Sequence, residues 1–283
     1  MSLQPLISVI VITYNSSSTI LETLDSIKRQ TYSNIELVVS DDCSKDDTVK
    51  KAQNWILDNN INGIVVTTKK NAGIPANVNK GIKAAKGTLV KIIAGDDILY
   101  DYAIEKYYQY YLKDESVIWQ ARVSFFGVDE ACIKRIEDSL PDYSFFELSN
   151  KEQYKALSVY NRIAAPALGL LNIKLFEQYG YYDETIPLIE DYPFNLKMSK
   201  NGISFRLIDE ALVKYRISKG SVTGVASRRY YQSMKAFFFR YRFIAMLKNG
   251  CFFDLIKQTV RYIFLCFNIA IVKSESKYRF VKI

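Results

Sequence analysis

The chain contains no histidine in 283 residues. That absence excludes every mechanism built on an imidazole base or ligand, including Ser-His-Asp hydrolysis and HExxH zinc chemistry. Cysteine is scarce too. Cys43, Cys132, Cys251 and Cys266 are scattered without a CxxC pair, which fits neither a zinc site nor a disulfide framework and implies a reducing, cytoplasmic setting. Neither GxGxxG nor GxxxxGK[ST] occurs, so any nucleotide must be held without the glycine-rich loops of dinucleotide-binding or P-loop enzymes. Long apolar runs are also missing: the longest uncharged stretch of the C-terminal tail, Tyr262 to Val272, is too short to cross a bilayer. The opening MSLQPLISVIVITYN lacks a basic region and a small-residue cleavage site, and reads as a first strand rather than a signal peptide.

What is present suits a chain that folds throughout. Apolar residues make up 49% of the sequence, enough to bury the core of one large domain plus an appendage. The net charge of +8 is concentrated after Lys214, amid Tyr and Phe. That mixture favours a membrane surface over nucleic acid as the partner of the tail.

From Ile7 the pattern repeats a short apolar run, a polar knot and a stretch with helical spacing, the signature of parallel strands joined by crossover helices. Strands are expected at Ile7 to Thr13, Ile35 to Ser40, Gly63 to Thr68 and Leu89 to Ala94, with helices near Ser17 to Gln30, Asp46 to Asp58 and Pro75 to Ala85. Ile20, Leu21, Leu24 and Ile27 are expected to form the buried face of the first helix, and Ser44 with Asp47 to cap the second. The sheet should be covered on both faces. Beyond Tyr100 a strand is expected at Val117 to Phe126, helices near Lys151 to Ser158, Ile173 to Tyr179 and Asp191 to Lys200, and two strands at Ile203 to Ile208 and Leu212 to Ile217. From Ser227 the chain reads as two basic, aromatic-rich helices broken at Asn249-Gly250.

Ligands of open parallel sheets bind outside the carboxyl ends of the strands. Here each of the four ends is marked: Tyr14-Asn15, Asp41-Asp42, Asn71-Ala72-Gly73 and Gly95-Asp96-Asp97. One such knot is an ordinary turn, whereas four on one edge with two carboxylate pairs suggest a site. Asp96-Asp97, behind a buried strand and a glycine, offers the oxygen ligands a hard cation needs, with room for diphosphate oxygens to complete the coordination; Mg2+ or Mn2+ would fit. Taken singly, either pair also reads as a solvated turn or cap.

Together these segments resemble family 2 glycosyltransferases of the GT-A fold. SVIVITYN resembles the opening strand of the family, VVSDDCSKDDT its second-strand motif VDDGSTDxT, NAGIPANVNKGIKAAKG its NxGxxxARNxGIxxAxG segment and IIAGDD its strand ending in DxDD. FEQYGYYDETIPLIEDYPFNLKMSKNG is similar to the acceptor-side signature. The order and spacing agree over about residues 5 to 220. The resemblance implies an α/β GT-A nucleotide-diphospho-sugar transferase domain over 1–225, with a nucleotide half (1–100) and an acceptor half (101–225), followed by a helical extension (226–283). It implies inverting transfer from a nucleotide-activated sugar, UDP preferred, to a glycan or lipid-linked acceptor in bacterial surface polysaccharide synthesis.

By the same resemblance Thr13 and Tyr14 line the base pocket with Asn15, Asn71, Gly73 and Asn79 nearby, Asp42 accepts from the base imide N–H beside Asp41, Asp96 contacts ribose and Asp97 coordinates the metal. Asp191 would be the general base. Glu190, Arg216 and Lys219 are candidates for acceptor or diphosphate contacts. Three departures stand out: Ala94 in place of the first Asp of DxDD, Val78 in place of an arginine, and Ser218 in place of a histidine. They leave open a sugar-nucleotide-binding protein without turnover, and a nucleotidyltransferase is a further alternative. The basic, aromatic tail fits either a peripheral membrane contact or a hairpin packed on its own domain or in a homodimer.

Overall fold

The computed structural model describes residues 4–138, 143–217, 228–266, 269–274 and 277–282. Four parallel strands, β1 (Ile7–Thr13), β2 (Ile35–Asp41), β3 (Gly63–Thr67) and β4 (Leu89–Ala94), alternate with helices α1 (Ile20–Lys28), α2 (Thr48–Asp58) and α3 (Ile74–Ala84). The sheet order is β3-β2-β1-β4, closed by a short antiparallel strand β7 (Leu171–Asn172) beside β4. The sequence reading of these strands holds to within a residue. β1 is buried almost throughout, as its unbroken apolar run requires of a central strand covered on both faces. Val9 and Val11 join the core under α1 and α2, while Ile10 faces the opposite core with Val78 and Ile82 of α3. That alternation is the two-residue period of a pleated strand.

The strand order reverses direction between β1 and β4: the chain moves outward to β2 and β3, then returns to the other side of β1. This is a topological switch point, where a crevice opens at the carboxyl ends. The register aligns Thr13 with Asp41, Asp41 with Thr67, and Ile12 with Ala94, so the polar knots lie along one edge.

The second half supplies β5 (Ile98–Leu99), α4 (Ala103–Lys113), β6 (Ile118–Phe126), α5 (Glu130–Asp138), α6 (Asn150–Val159), α7 (Lys174–Tyr179), α8 (Asp191–Lys200) and β8 (Phe205–Arg216). The two strands expected between 203 and 217 are one. β8 runs parallel to β6 through a register shift in which Ala121 pairs Ile208 but Arg122 pairs Ala211, so Asp209-Glu210 is the surplus of a β-bulge rather than a turn. Two further expectations are corrected. Leu21 is exposed, and the buried face of α1 is completed by Thr23 and Ser26. Ser44 does not cap α2; Asp46 accepts the Thr48 amide at 3.0 Å instead, while Ser44 turns to Asp41.

The tail forms α9 (Arg228–Phe237), a π-helical turn (Phe238–Arg242), α10 (Phe243–Lys248) and α11 (Phe252–Cys266), broken at Asn249-Gly250 as the sequence suggests. The uncharged run after Tyr262 is divided between the end of α11 and a hairpin strand β9 (Ile269–Ser274), which pairs with β10 (Lys277–Lys282). Phe237 and Ala245 join the core that contains Phe194 of α8, so this tail packs on the second half of the chain. Among the described residues no helix is long and apolar enough to cross a membrane.

Candidate active site

At the end of β1 and β2 a network of short polar side chains fixes the backbone. Asp41 accepts from the Thr13 hydroxyl at 3.0 Å, the Ser44 amide at 2.9 Å and the Ser44 hydroxyl. Asn15 takes a left-handed conformation (φ 52°) and receives the Lys45 amide on Oδ1 at 2.8 Å. Asp42 holds the next loop: Oδ1 accepts from the Ala72 amide at 2.8 Å and the Thr68 hydroxyl at 3.1 Å, and Oδ2 accepts from the Gly73 amide at 2.8 Å. One lone pair on Oδ2 is left. Gly73, at φ 94°, lies so close to Pro187 that a Cβ would come within 2.9 Å of its carbonyl oxygen, and Ile74 donates its amide to that same oxygen at 3.2 Å. A glycine here lets the start of α3 touch the segment that leads to α8.

The loop after β4 is held from α1. The Thr19 hydroxyl donates to the Gly95 carbonyl and the Thr23 hydroxyl to that of Asp97, both at 2.8 Å. A Cβ on Gly95 would fall 2.7 Å from Thr13 Cγ2, so the close approach of the β1 and β4 ends admits only glycine. Arg216, at the end of β8, donates its amide to Asp97 Oδ1 at 3.0 Å and Nε to the Asp96 carbonyl at 2.8 Å, and it pairs with Glu22. Its guanidinium lies 4.3 Å from the Phe126 ring centroid. Asp97 is 1% exposed, and its Oδ2 has no hydrogen-bond partner. Burial, then the like charge of Asp96, push Asp97 up to about 7; burial raises Asp96 against the pull of Arg216.

An orphaned, buried carboxylate oxygen beside a second carboxylate fits a divalent cation, whose charge would relieve both strains. No cluster of three acidic, cysteine or histidine ligands occurs among the described residues.

Glu190 and Asp191 open α8. Burial, with the neighbouring Asp191 charge adding to it, pushes Glu190 up to about 8. Burial also raises Asp191, against the Tyr192 amide and the Asn161 side chain; Asn161 Nδ2 donates to Asp191 Oδ2 at 3.0 Å. Desolvation therefore outweighs the helix dipole at this terminus. Behind Asn161, buried Arg242 donates Nε to the Ser158 carbonyl at 3.0 Å and Nη2 to that of Val159, pinning the end of α6 to the tail.

A cleft of about 890 Å³ joins these groups. Tyr14, Asp96, Asp97, Arg216, Glu190 and Asp191 all line it. Thr13, Asn15, Asp41, Asp42, Asn71 and Gly73 lie at the strand ends and in the loops that follow but are not among the residues lining the cleft, and Asn71 is exposed. Asn79 lies outside the cleft: its amide donates to the Tyr182 carbonyl at 2.9 Å and to Glu184 at 2.8 Å, and accepts the Tyr182 amide at 3.0 Å. Its geometry is that of a cross-link between α3 and the segment leading to α8. Lys219 and Ser218 lie outside the described residues. Sequence reasoning missed Asn161, Arg162, Arg242 and Gln258, which also line the cleft; no motif or periodicity marks them.

The sequence model of glycosyl transferase family 2 matches residues 8–180. The glycosyltransferase EpsJ of Bacillus subtilis, itself uncharacterized, is 28% identical over 84% of this chain and 71% of its own. WfaP of Escherichia coli, a UDP-Glc:alpha-D-GlcNAc-diphosphoundecaprenol beta-1,3-glucosyltransferase, is 26% identical over 77% of this chain and 80% of its own. Among solved structures, TarS of S. aureus in complex with UDP-GlcNAc superimposes with a TM-score of 0.66 at 20% identity, covering 92% of this chain and 72% of the TarS chain; this chain spans 43% of the longer TarS chain. The mannosyltransferase PcManGT from Pyrobaculum calidifontis, in complex with GDP-Man and Mn2+, gives a TM-score of 0.60 at 19% identity, covering 87% of this chain and 65% of its own. These superpositions agree with the GT-A fold that the sequence resemblance implies.

Proposed function

The chain belongs to glycosyl transferase family 2, and from that premise we propose that it transfers a sugar, with inversion, from a UDP-sugar to a hydroxyl of a lipid-linked saccharide during assembly of a bacterial surface glycan. It is a glycosyltransferase that uses a nucleotide sugar; the finer reading rests on one observation above all. The carboxylates of Asp96 and Asp97 at the switch point and that of Asp191 on α8 line a single cleft, as a displacement with donor on one side and acceptor on the other requires.

In this reading Tyr14 and the Thr13–Asn15 turn flank the base, and the last lone pair of Asp42 accepts the base imide N–H. Asp96 takes the ribose, and Asp97 Oδ2 holds Mn2+ or Mg2+ together with the diphosphate. When bound, the cation offsets the charge that grows on the departing nucleoside diphosphate. Asp191 removes the acceptor hydroxyl proton as that oxygen attacks the anomeric carbon, and Asn161 keeps its carboxylate aimed and ionised. No acid carboxylate is needed, because a diphosphate leaves without protonation, in contrast to the alkoxide of glycoside hydrolysis. A single displacement converts an α-linked donor to a β-linked product. The UDP preference and the lipid-linked acceptor are supported by WfaP, whose name carries both.

The organisation we infer is a transferase unit over 1–225 and an extension over 226–283 that lies at the inner membrane face. Exposed Phe252, Phe253 and Ile256 on α11 support that placement.

Calorimetric titration with UDP, dTDP and GDP, each with and without manganese, tests the donor site. Metal-dependent binding of UDP is expected, and no binding of any of the three would remove the basis for transfer. Release of UDP rather than pyrophosphate during turnover separates this reading from nucleotidyl transfer.

A further inference from the structure

The acceptor side of the cleft is lined by three guanidinium groups, Arg162, Arg242 and Arg261. Among the described residues none of them is ion-paired with a carboxylate; the salt bridges there use other cations. Arg242 is 3% exposed, bonded only to the carbonyls of Ser158 and Val159 and placed 5.3 Å from the Tyr192 ring centroid. Arg242 thus carries a positive charge that backbone dipoles alone satisfy by hydrogen bonding, in a cleft that also holds the Glu190 and Asp191 carboxylates. Arg162 lies 5.8 Å from the Tyr160 ring centroid, and Arg261 projects from α11 at the cleft rim.

A second observation points to a ligand at the same place. Gln258, three residues before Arg261 on α11, is 5% exposed, lines the cleft and has no hydrogen-bond partner on Oε1. Native proteins rarely leave such an atom unmatched, and a carboxamide can present either its oxygen or its N–H₂ to a bound group. The same helix exposes an apolar stripe, Phe253 (81%), Ile256 (66%), Val260 (45%) and Ile263 (46%), at spacings of three and four residues that place them on one face. Guanidiniums without a carboxylate partner and an unmatched amide in the cleft, an apolar ridge on the outer face of α11, and Arg261 on the flank of that helix between the two, match a molecule with a phosphate head and a hydrocarbon tail. The donor diphosphate has its own place beside Asp97, on the other side of the cleft.

We propose that Arg162 and Arg261, with Gln258 beside them, clamp the phosphate or diphosphate of a lipid-linked acceptor so that its sugar reaches Asp191 while its hydrocarbon chain follows the exposed face of α11. Arg242 is a positioning residue, holding the end of α6 from which Asn161 and Arg162 extend. This deepens the proposed transfer to a lipid-linked saccharide and rests on it.

The test uses the full chain saturated with UDP and manganese, titrated with farnesyl diphosphate, farnesol and inorganic pyrophosphate. Farnesyl diphosphate should bind, with farnesol and pyrophosphate each at least about tenfold weaker. The double variant Arg162→Gln/Arg261→Gln should weaken farnesyl diphosphate by about 100-fold, the loss expected from two charge-assisted contacts, while UDP affinity stays within about twofold. Retained UDP binding also certifies the fold of the variant. Absence of farnesyl diphosphate binding, or affinity unchanged in the double variant, overturns the clamp; pyrophosphate binding as tightly as farnesyl diphosphate overturns the lipid-linked acceptor in favour of free phosphate. Loss of UDP affinity in the variant would assign the arginines to the donor and refute the proposal. Failure of the unsubstituted protein to bind UDP is a separate outcome, which would refute the donor reading instead.

Discussion

Replacing Asn161 with alanine isolates one interaction of the inferred base. Asn161 Nδ2 donates to Asp191 Oδ2 at 3.0 Å, and it opposes the burial that raises the proton affinity of Asp191. A hydrogen bond to a charged group contributes about 1.5–3 kcal/mol. The protonated acid keeps a weaker version of the same bond and the site is partly open to water, so the lower end of that range applies to the difference between the two forms. About 1.4 kcal/mol corresponds to one pH unit. The variant should therefore require about one pH unit more alkaline conditions before Asp191 ionises. The sign follows: transfer needs the carboxylate, so the rate falls as pH falls, and the acid limb should move upward by about one unit while the alkaline plateau is largely retained. The assay is the pH dependence of kcat/KM for acceptor, with UDP affinity measured alongside as a check that the donor side is intact. An acid limb that stays in place with a uniformly lowered rate would refute the argument, because it would make Asn161 a packing residue rather than one acting through Asp191.

Asp97→Asn should abolish the manganese-dependent part of UDP binding, read by calorimetry; unchanged affinity with metal present would count against the ligand role of Oδ2. Asp191→Asn should leave UDP binding intact and lower transfer by about three orders of magnitude or more, and near-normal turnover would rule it out as the base. Lys91, fully buried on β4 and donating Nζ to the carbonyls of Pro166 at 2.8 Å and Leu168 at 2.6 Å, is pushed down to about 7 by burial. Its folded-state proton affinity is thus below that of the unfolded chain, which binds more protons between pH 7 and 10. Stability should rise with pH across that window, with a slope on the order of 1 kcal/mol per unit, and Lys91→Met should flatten it; parallel urea-midpoint profiles for the two proteins would refute this.

The parts of the site legible in the sequence are those written locally. Parallel strands need continuous apolar runs, and their ends need turn formers, so Tyr14, Asp41, Asp42, Asp96 and Asp97 announced the edge of the sheet before any strand order was known. What the switch point adds is adjacency: only the order β3-β2-β1-β4 brings the end of β1 beside that of β4. The sequence reading left Asp209-Glu210 between two expected strands, yet pairing of β8 with β6 absorbs those two residues as a bulge, because a partner strand outweighs local preference when the ladder on either side is intact.

The acceptor side was far less legible, and for a physical reason. Asn161, Arg242 and Gln258 lie in segments whose patterns are those of an ordinary helix end or an amphipathic helix, and they acquire their significance only through contacts across 30 residues or more: Asn161 with Asp191, Arg242 with Ser158. Asn79 shows the converse. Its motif is plain in the sequence, but its amide is engaged with Tyr182 and Glu184, so the signal that places it in a family does not place it in the cleft. The strand-end side of the cleft reads from the sequence because the chain itself aligns those ends, whereas the side we assign to the acceptor is assembled from α8, the tail and the chain that follows α6. A search for acceptor determinants in related chains should therefore start from residues facing α8 across the cleft rather than from sequence motifs.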